Sequence, residues 1–300
     1  MIQPNAILAR LAEGRPTISV EFFPPKTEEG ARQILRTAQA IRGYGVDFVS
    51  ITYGAGGSGR DRTVDYGDLL RGLFGFEVMS HLTCVGQSSA ELKETIAGFA
   101  RFGFEGIMAL RGDPPKGQTG FTQHPEGFAH ASDLVSFIRR EFGKKFAIGV
   151  AGYPEKHPEA SDAETDLVHL KHKVDQWADF VTTQLFFDNA HYFNFVARAR
   201  AAGITVPIIP GVMPALSLDQ ARKFSGFCGS AIPADLERRL AACGADAEAQ
   251  RRVGVEWAAE QIRELLARGA PGLHLYVLNR TDSAIELLGR LREAGLILSR

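Results

Sequence analysis

A glutamate lies inside an apolar segment close to the start of the sequence. Residues 18–23 are rich in β-branched and aromatic side chains and are followed by Pro24, so they predict a short buried strand. A carboxylate there costs several kcal/mol to desolvate unless it is paired, protonated or placed at a cavity. Glu21 therefore either points to water from an edge strand or is a catalytic acid whose pKa is raised by its apolar neighbours.

Polar residues also follow the other predicted strands. Arg111 has the geometry to pair with a phosphate, Asp113 can accept a hydrogen bond from the N–H edge of a heterocycle, and the Gln184 amide can both donate and accept. Each of them alone also fits a surface turn or a solvated position, and a single histidine is more often structural than catalytic. The residues at these strand ends are Glu21, Thr52, Tyr53, His81, Thr83, Arg111, Gly112, Asp113, Tyr153, His157, Gln184, Asn279 and Arg280.

Short apolar segments alternate with longer amphipathic ones along the whole chain. The predicted strands are residues 18–23, 46–52, 77–83, 106–110, 146–150, 180–186, 206–211 and 272–278. Between them the spacing predicts helices over about residues 28–44, 63–74, 88–102, 131–142, 162–177, 191–202, 249–268 and 283–294. Ser88 or Ser89 together with Glu91 forms a capping signal for the third of these helices.

The number of repeats decides the fold class. About eight strand–helix units at roughly 30-residue spacing are typical of a closed (β/α)8 TIM barrel, whereas a doubly wound open sheet usually has five to seven strands. The long interval 216–271 predicts extra helices between the seventh and eighth strands. Without a linker or a change in composition, residues 1–300 are predicted to form one domain, with the chemistry at the carboxyl ends of the strands.

Composition excludes several classes of function. The 35 acidic and 34 basic residues nearly cancel, so no overall field indicates a nucleic acid or membrane partner. Cys84, Cys228 and Cys243 are scattered, which argues against a zinc site and a disulfide framework. With no recognisable signal peptide and no apolar segment of about 20 residues, we expect a cytoplasmic protein that holds no metal.

The glycine-rich segment 54–59 matches the G-x-G-x-x-G pattern and follows a predicted strand, with Glu77 near the spacing of a ribose-binding acid. A dinucleotide-binding Rossmann unit is one interpretation. The count of strand–helix units favours the other interpretation, a loop whose glycines let the backbone approach a ligand.

Taken in order, the motifs of this sequence resemble those of the methylenetetrahydrofolate reductase family over nearly the whole chain. They are EFFPPK at 21–26, VSITYG at 49–54, HLTC at 81–84, LRGDPP at 110–115, YPEKHP at 153–158, LKHKVD at 170–175, TQLFFD at 183–188, PGVMP at 210–214 and LNR at 278–280. The chain is similar to the short bacterial type, a catalytic barrel without the regulatory domain of the animal enzymes.

The resemblance implies an FAD bound non-covalently at the mouth of a (β/α)8 barrel. It implies a ping-pong reaction in which NADH or NADPH reduces the flavin, and the flavin N5 passes a hydride to 5,10-methylenetetrahydrofolate to give 5-methyltetrahydrofolate. Glu21 would be the general acid, Asp113 would hold the pterin and tune the flavin, and Gln184 and Arg280 would contact the folate. The residues implied at the FAD are Thr52, Tyr53, His81, Arg111, Gly112, Asp113, Tyr153, His157, Asp166, His169, His172 and Lys173. Relatives tend to be homodimers or homotetramers.

This sequence departs from the family pattern at three positions. Leu218 stands where the family often has an aromatic residue that stacks on nicotinamide or folate, and His169 and His172 stand where it often has Asn and Arg in the FAD-binding helix. Two other functions stay open: reduction by a protein electron donor, and a flavin- or folate-binding barrel without catalysis. An aldolase-type barrel is disfavoured because no predicted strand carries a lysine for Schiff-base chemistry.

The two histidines generate a prediction about pH. Because histidine titrates over about pH 5.5–8, His169 and His172 in place of Asn and Arg should make FAD binding weaker or more dependent on pH. Measuring FAD release by fluorescence across that range checks this expectation. An affinity that does not change with pH would show that neither ring contributes to cofactor binding.

Overall fold

The computed structural model describes residues 5–53, 60–113 and 123–298 as a barrel of parallel strands with helices outside it. The strands are β1 (Thr17–Phe22), β2 (Phe48–Ile51), β3 (Glu77–Thr83), β4 (Gly106–Leu110), β5 (Ala147–Gly152), β6 (Phe180–Thr183), β7 (Ile208–Ile209), β8 (Gly211–Val212) and β9 (Gly272–Tyr276). The helices are α1 (Ala6–Leu11), α2 (Glu28–Ile41), α3 (Arg60–Phe74), α4 (Ser89–Arg101), α5 (Ala131–Phe142), α6 (Ala163–Asp175), α7 (Asn189–Ala201), α8 (Leu218–Cys228), α9 (Ala234–Ala242), α10 (Ala247–Ala267) and α11 (Thr281–Glu293).

One proline explains why nine strand segments form an eight-membered ring. The sheet order is β7-β6-β5-β4-β3-β2-β1-β9-β8, and only Pro210 separates β7 from β8. Proline has no N–H and cannot donate within a ladder, so the predicted seventh strand is divided at this residue. Its first half pairs with β6 and its second half with β9, and the Pro210 carbonyl accepts a hydrogen bond from His274 N at 2.9 Å. The (β/α)8 barrel predicted from the sequence is therefore confirmed.

The helices follow the sequence signals closely. α4 begins with the predicted capping box, in which Ser88 and Glu91 each bond the backbone N–H of the other. The predicted extra helices between the seventh and eighth strands are α8, α9 and α10. The short helix α1 was not predicted, because six residues are too few to show a helical period.

Two apolar layers hold the barrel together. Outward-facing residues of the strands pack against the helices in a large core. The lower lumen is filled by a second cluster, in which Ile7 of α1 is fully buried among Phe48, Met79, Met108, Ala147, Phe180 and Ile209. The Asn5 side chain fixes α1 to this end of the barrel by donating to the carbonyls of Glu105 and Lys145 at 2.6 and 3.1 Å. Thus α1 closes the barrel at the end opposite to the predicted site.

Replacing Ile7 with alanine tests the contribution of this plug. The lumen around it is packed tightly, since a Cβ on Gly106 would lie only 2.9 Å from Ile7 Cδ1. We therefore expect Ile7→Ala to lower the free energy of unfolding by about 2–4 kcal/mol in urea denaturation. Leu73→Ala, a change at a side chain of α3 that is 59% exposed, is the matched control and should change stability by less than about 0.5 kcal/mol. Equal effects of the two substitutions would contradict a structural role of α1.

Candidate active site at the barrel mouth

Glu21 faces the lumen of the barrel. Its strand β1 pairs with β2 on one side and β9 on the other, and Glu21 is only 5% exposed. Side chains alternate along a strand, so Ile18, Val20 and Phe22 pack outward in the main core while Ser19 and Glu21 point inward. The interpretation of Glu21 as a solvated residue on an edge strand is therefore wrong.

Two histidines contact the carboxylate. Glu21 Oε2 lies 3.3 Å from His81 Nε2 on β3 and 3.5 Å from His274 Nε2 on β9. The His81 contact lacks the geometry of a hydrogen bond, so we treat it as an electrostatic contact. The other nitrogen of His274, Nδ1, lies 2.8 Å from Ser19 Oγ, which orients the ring. We call Glu21, His81 and His274 the Glu–His cluster.

The cluster determines the protonation of Glu21. Burial alone raises the pKa of Glu21, but the contacts with His274 and His81 outweigh burial and bring that pKa below its ordinary value of 4.5. The expectation that apolar neighbours raise the pKa is therefore wrong. Tyr276 lies beside the cluster, and burial together with the charge of Glu21 raises the pKa of its phenol well above 10.0. Its hydroxyl donates instead to the carbonyl of Thr183 at 2.8 Å.

A second group of polar residues follows β4. Arg111 donates to both oxygens of Glu159 at 2.7 and 2.8 Å, so an anionic partner already faces the residue predicted to bind phosphate. Gly112 has a φ of +94°, and a Cβ there would lie 2.6 Å from a methyl carbon of Val85, so this position requires glycine. Asp113, an exposed residue, ends this part of the described chain.

Helix α6 places a half-buried cation next to this group. Lys173 Nζ donates to the carbonyl of Ala151 at 2.5 Å, and burial lowers the pKa of Lys173 to about 8 although Asp166 opposes the shift. Asp166 also accepts a hydrogen bond from the backbone N–H of His157 at 3.0 Å. The ring of His157 packs edge-on against Tyr153, with 4.6 Å between the centroids, and burial raises the pKa of Tyr153 to about 12.

The remaining predicted residues differ in exposure. His169 and His172 lie on α6 with exposed side chains, and Arg280 is exposed at the N-cap of α11. Thr52 and Tyr53 follow β2, where the Thr52 carbonyl accepts from Thr63 Oγ1 at 3.0 Å. The glycine-rich segment 54–59 lies outside the described residues.

The extra helices supply one wall of the mouth. Both carboxylate oxygens of Glu155 lie 3.0 Å from the backbone N–H of Ala231, which holds the loop between α8 and α9 against the loop after β5. Gln184 follows β6 in this wall, and its Oε1 accepts from the backbone N–H of Leu185 at 2.9 Å. Residues of both loops and of the β6 end line one cleft, among them Tyr153, Gln184, Leu185, Cys228 and Ser230.

Leu218, which departs from the aromatic residue often found in the family, packs into an apolar cluster. Leu218, the first residue of α8, packs against an apolar cluster that includes Leu185 and Phe187. It thus contributes to the packing beneath this wall of the mouth as an aliphatic side chain.

Sequence reasoning missed Ser19, His274 and Tyr276. They lie within β1 and β9, whereas the sequence predicts functional residues from the polar groups at the ends of strands. The signal was present in the alternation of residues 272–276, where Leu273 and Leu275 face the helices and His274 and Tyr276 therefore face the lumen. Neither Glu155 nor Glu159 carries a comparable signal, since their partners are distant in sequence.

These groups together suit a polar, anionic ligand with a planar ring system. The half-buried Lys173, and Arg111 with its partner Glu159, lie on one side of the mouth, and the Glu–His cluster can hold or move a proton at its centre. Buried Thr83 Oγ1 has no hydrogen-bond partner within the described residues, so it is available to a ligand. Over the same residues there is no group of three or more His, Cys, Asp or Glu side chains arranged to hold a metal, and no helix long and apolar enough to cross a membrane.

Comparison with known proteins gives consistent matches. The sequence model of methylenetetrahydrofolate reductase matches residues 6–292. The 5,10-methylenetetrahydrofolate reductase of Escherichia coli K12 is 38% identical over 282 residues, which cover 93% of each chain. Methylenetetrahydrofolate reductase (NADH) 1 of Zea mays is 40% identical over 300 residues, which cover 97% of this chain and 50% of the maize protein. The chain thus spans about half the length of its plant relatives.

A solved structure supports the fold. A protein from Clostridium thermocellum, described as binding two copies of 5-methyl-5,6,7,8-tetrahydrofolic acid, superposes with a TM-score of 0.65. The match covers 96% of this chain and 99% of that one at 15% sequence identity. At this identity the likeness establishes the shared architecture alone.

The lowered pKa of Glu21 predicts how acid affects stability. A carboxyl group whose pKa is lower in the folded state stabilises that state above its unfolded pKa, and the contribution is lost as pH falls toward the folded pKa. The unfolding free energy of the wild type minus that of Glu21→Gln should therefore decrease, by on the order of 2 kcal/mol, between about pH 6 and pH 3. Urea denaturation of both proteins across that range measures the difference. A difference that increases toward acid would mean that the pKa is raised instead.

Proposed function

The chain belongs to the methylenetetrahydrofolate reductase family, and from that premise we propose that it reduces 5,10-methylenetetrahydrofolate to 5-methyltetrahydrofolate with NADH or NADPH as the electron donor and FAD as the cofactor. The observation that carries the proposal is the Glu–His cluster, which places a buried acid–base group at the carboxyl ends of the strands in a barrel of this family.

The residues present fit FAD. Lys173 offers positive charge for its pyrophosphate, Arg111 would do so by exchanging Glu159 for a phosphate, and Thr83 Oγ1, which has no partner among the described residues, offers a hydroxyl. Gly112 lets the backbone approach closely where a side chain would collide with Val85. Around them we assign the other cofactor contacts to Thr52, Tyr53, His81, Asp113, Tyr153, His157, Asp166, His169 and His172. FAD supplies hydride transfer between the nicotinamide and the folate.

Glu21 would act as the general acid for folate, with its carboxylate in contact with His81 and His274 of the Glu–His cluster. The lowered pKa of Glu21 keeps its carboxylate ionised near neutral pH, so this carboxylate must take up a proton before it can act as an acid. Ring systems bound over the mouth would exclude water and make the ionised carboxylate less favourable, which raises the pKa of Glu21 toward that of a general acid. The protonated carboxyl can then donate to the folate nitrogen that is released when the five-membered ring opens. Ser19 keeps His274 oriented for this transfer.

Three further residues would position the folate. Asp113, which follows β4, and Gln184, which follows β6, carry acceptor and donor groups for the edge of the pterin. Arg280, exposed at the start of α11, is suited to a carboxylate of the folate tail. The assignment of 1–300 as one catalytic domain, a homo-oligomeric assembly and a cytoplasmic location stay predictions from the sequence.

An anaerobic titration tests the proposed function. NADH is the first donor to test, because the maize relative carries NADH in its name. Adding NADH to the FAD-loaded protein should bleach the visible flavin band, and adding methylenetetrahydrofolate should restore it. Bleaching without recovery would contradict the folate assignment. If neither NADH nor NADPH bleached the band, while folate still reoxidised chemically reduced protein, the donor would be a protein.

Substitution of Glu21 separates the two half-reactions. Glu21→Gln removes the acid while it preserves the shape of the side chain, so flavin reduction by NADH should persist and reoxidation by methylenetetrahydrofolate should slow by about 10²–10⁴-fold in stopped-flow absorbance. Glu105→Gln is the matched control, because Glu105 lies at the closed end of the barrel, where its carboxylate accepts a hydrogen bond from Ala6 N. Equal loss of both half-reactions in Glu21→Gln would assign Glu21 a structural role.

A further inference from the structure

The turn after β9 contains two consecutive residues in the left-handed region. Leu278 has a φ of 50° and Asn279 a φ of 55°, and Arg280 N closes the turn by donating to the carbonyl of Val277 at 2.8 Å. Positive φ at both central positions is the arrangement of a type I′ turn, which glycine and asparagine adopt readily and leucine rarely does. Arg280 follows directly as the N-cap of α11.

The side chain of Asn279 crosses from this turn to the end of β1. Its Oδ1 accepts from the backbone N–H of Phe23 at 3.0 Å, and its Nδ2 donates to the backbone carbonyl of Phe23 at 2.8 Å. Phe23 lies one residue beyond β1, so both of its backbone polar groups bond a side chain from the opposite end of the sequence. We call this pair of hydrogen bonds the Asn279 clamp.

The other side of the turn is fixed from α2. Thr37 Oγ1 donates to the carbonyl of Asn279 at 3.0 Å and lies 2.7 Å from Thr281 Oγ1. Gln33 Nε2 donates to the hydroxyl of Thr281 at 2.6 Å. The turn is therefore held to α2 on one side and to the end of β1 on the other, and its geometry cannot change without breaking one of these contacts.

The clamp joins Phe23 and Asn279, and each of these lies close in sequence to a residue of the proposed reaction. Glu21 lies two residues before Phe23, and Arg280 directly follows Asn279. Glu21 is held by the pairing of β1 with β2 and β9 and by the histidines, whereas the next step of the chain, Phe23, lies beyond the strand ladder and bonds Asn279 through both of its backbone polar groups. Phe23, whose side chain is 36% exposed, is fixed at the mouth in the same way.

We propose that Asn279 is a positioning residue for the folate half-reaction, in which its clamp holds the end of β1 with Glu21 at a set distance from Arg280. This inference rests on the proposed function. It predicts a selective effect, because reduction of the flavin by a nicotinamide uses neither the proton of Glu21 nor the folate contact of Arg280. A residue that only stabilised the barrel would affect both half-reactions alike.

Asn279→Gly tests the proposal, since glycine accepts the positive φ of the turn and lacks the amide. In the FAD-loaded protein, reoxidation by methylenetetrahydrofolate should slow by on the order of 10- to 100-fold with a raised half-saturating folate concentration. Reduction by NADH should keep its wild-type rate. Amide hydrogen exchange at Phe23 should become faster, which reports the loss of the clamp independently of activity.

Trp177→Gly is the matched control. Trp177 also has a positive φ, 72°, and its side chain is 76% exposed in the loop between α6 and β6, so this variant makes the same backbone change without a clamp. Both half-reactions should stay at wild-type rates in this variant. If Asn279→Gly does not fold, Asn279→Asp keeps the side-chain shape and the acceptor for Phe23 N–H, and the same selective loss is expected from it.

Two results would overturn the proposal while leaving the proposed function in place. One is wild-type folate reoxidation in Asn279→Gly despite faster exchange at Phe23, and the other is an equal loss of both half-reactions. A wild-type protein that is not reoxidised by methylenetetrahydrofolate would overturn the proposed function, and this inference with it.

Discussion

The buried carboxylate of Glu21 is the constraint on which the arrangement of the mouth depends. Inside a closed barrel a carboxylate has little access to water, and an unpaired charge there would cost far more than the fold can offset. His81 and His274 approach it from two other strands at 3.3 and 3.5 Å, and Ser19 fixes the second ring. The upper lumen is therefore one electrostatic unit, in which removal of any member leaves a buried charge or a buried donor without a partner.

One end of the barrel is packed with apolar groups that stabilise the fold, and the other end carries the ionisable groups. At the closed end, α1 and the side chains around Ile7 fill the lumen with apolar groups, and the outward faces of the strands pack against the helices. At the mouth there are a buried hydroxyl, Thr83 Oγ1, that has no hydrogen-bond partner among the described residues, and a turn with two residues at positive φ. Such features are unfavourable in isolation, and a large apolar core elsewhere allows a fold to retain them where a ligand binds.

The sequence predicts the fold better than it predicts the electrostatics of the site. Hydrophobic periodicity identifies the barrel and the extra helices, because each segment's pattern reports which face is buried. It misses α1, which is too short to have a period, and the break at Pro210, which appears only when both neighbouring strands are known. The predicted pKa of Glu21 has the wrong direction because the apolar residues that adjoin it in sequence point away from it. Its neighbours in space, His81 and His274, are 60 and 253 positions away, and no local pattern connects them.

Strand register couples the fold to this cluster. Ser19 is aligned with His274, and Glu21 with Tyr276, in the parallel pairing of β1 and β9. A slip of one residue would turn Glu21 into the apolar layer beneath the helices and place Val20 and Phe22 in the lumen. The same pairing that buries Ile18, Val20 and Phe22 in the main core therefore brings the carboxylate to the histidines. Hydrophobic burial on the outside of the barrel thus sets the distances between the ionisable groups inside it, so the free energy that holds the fold together also holds the proton-transfer geometry.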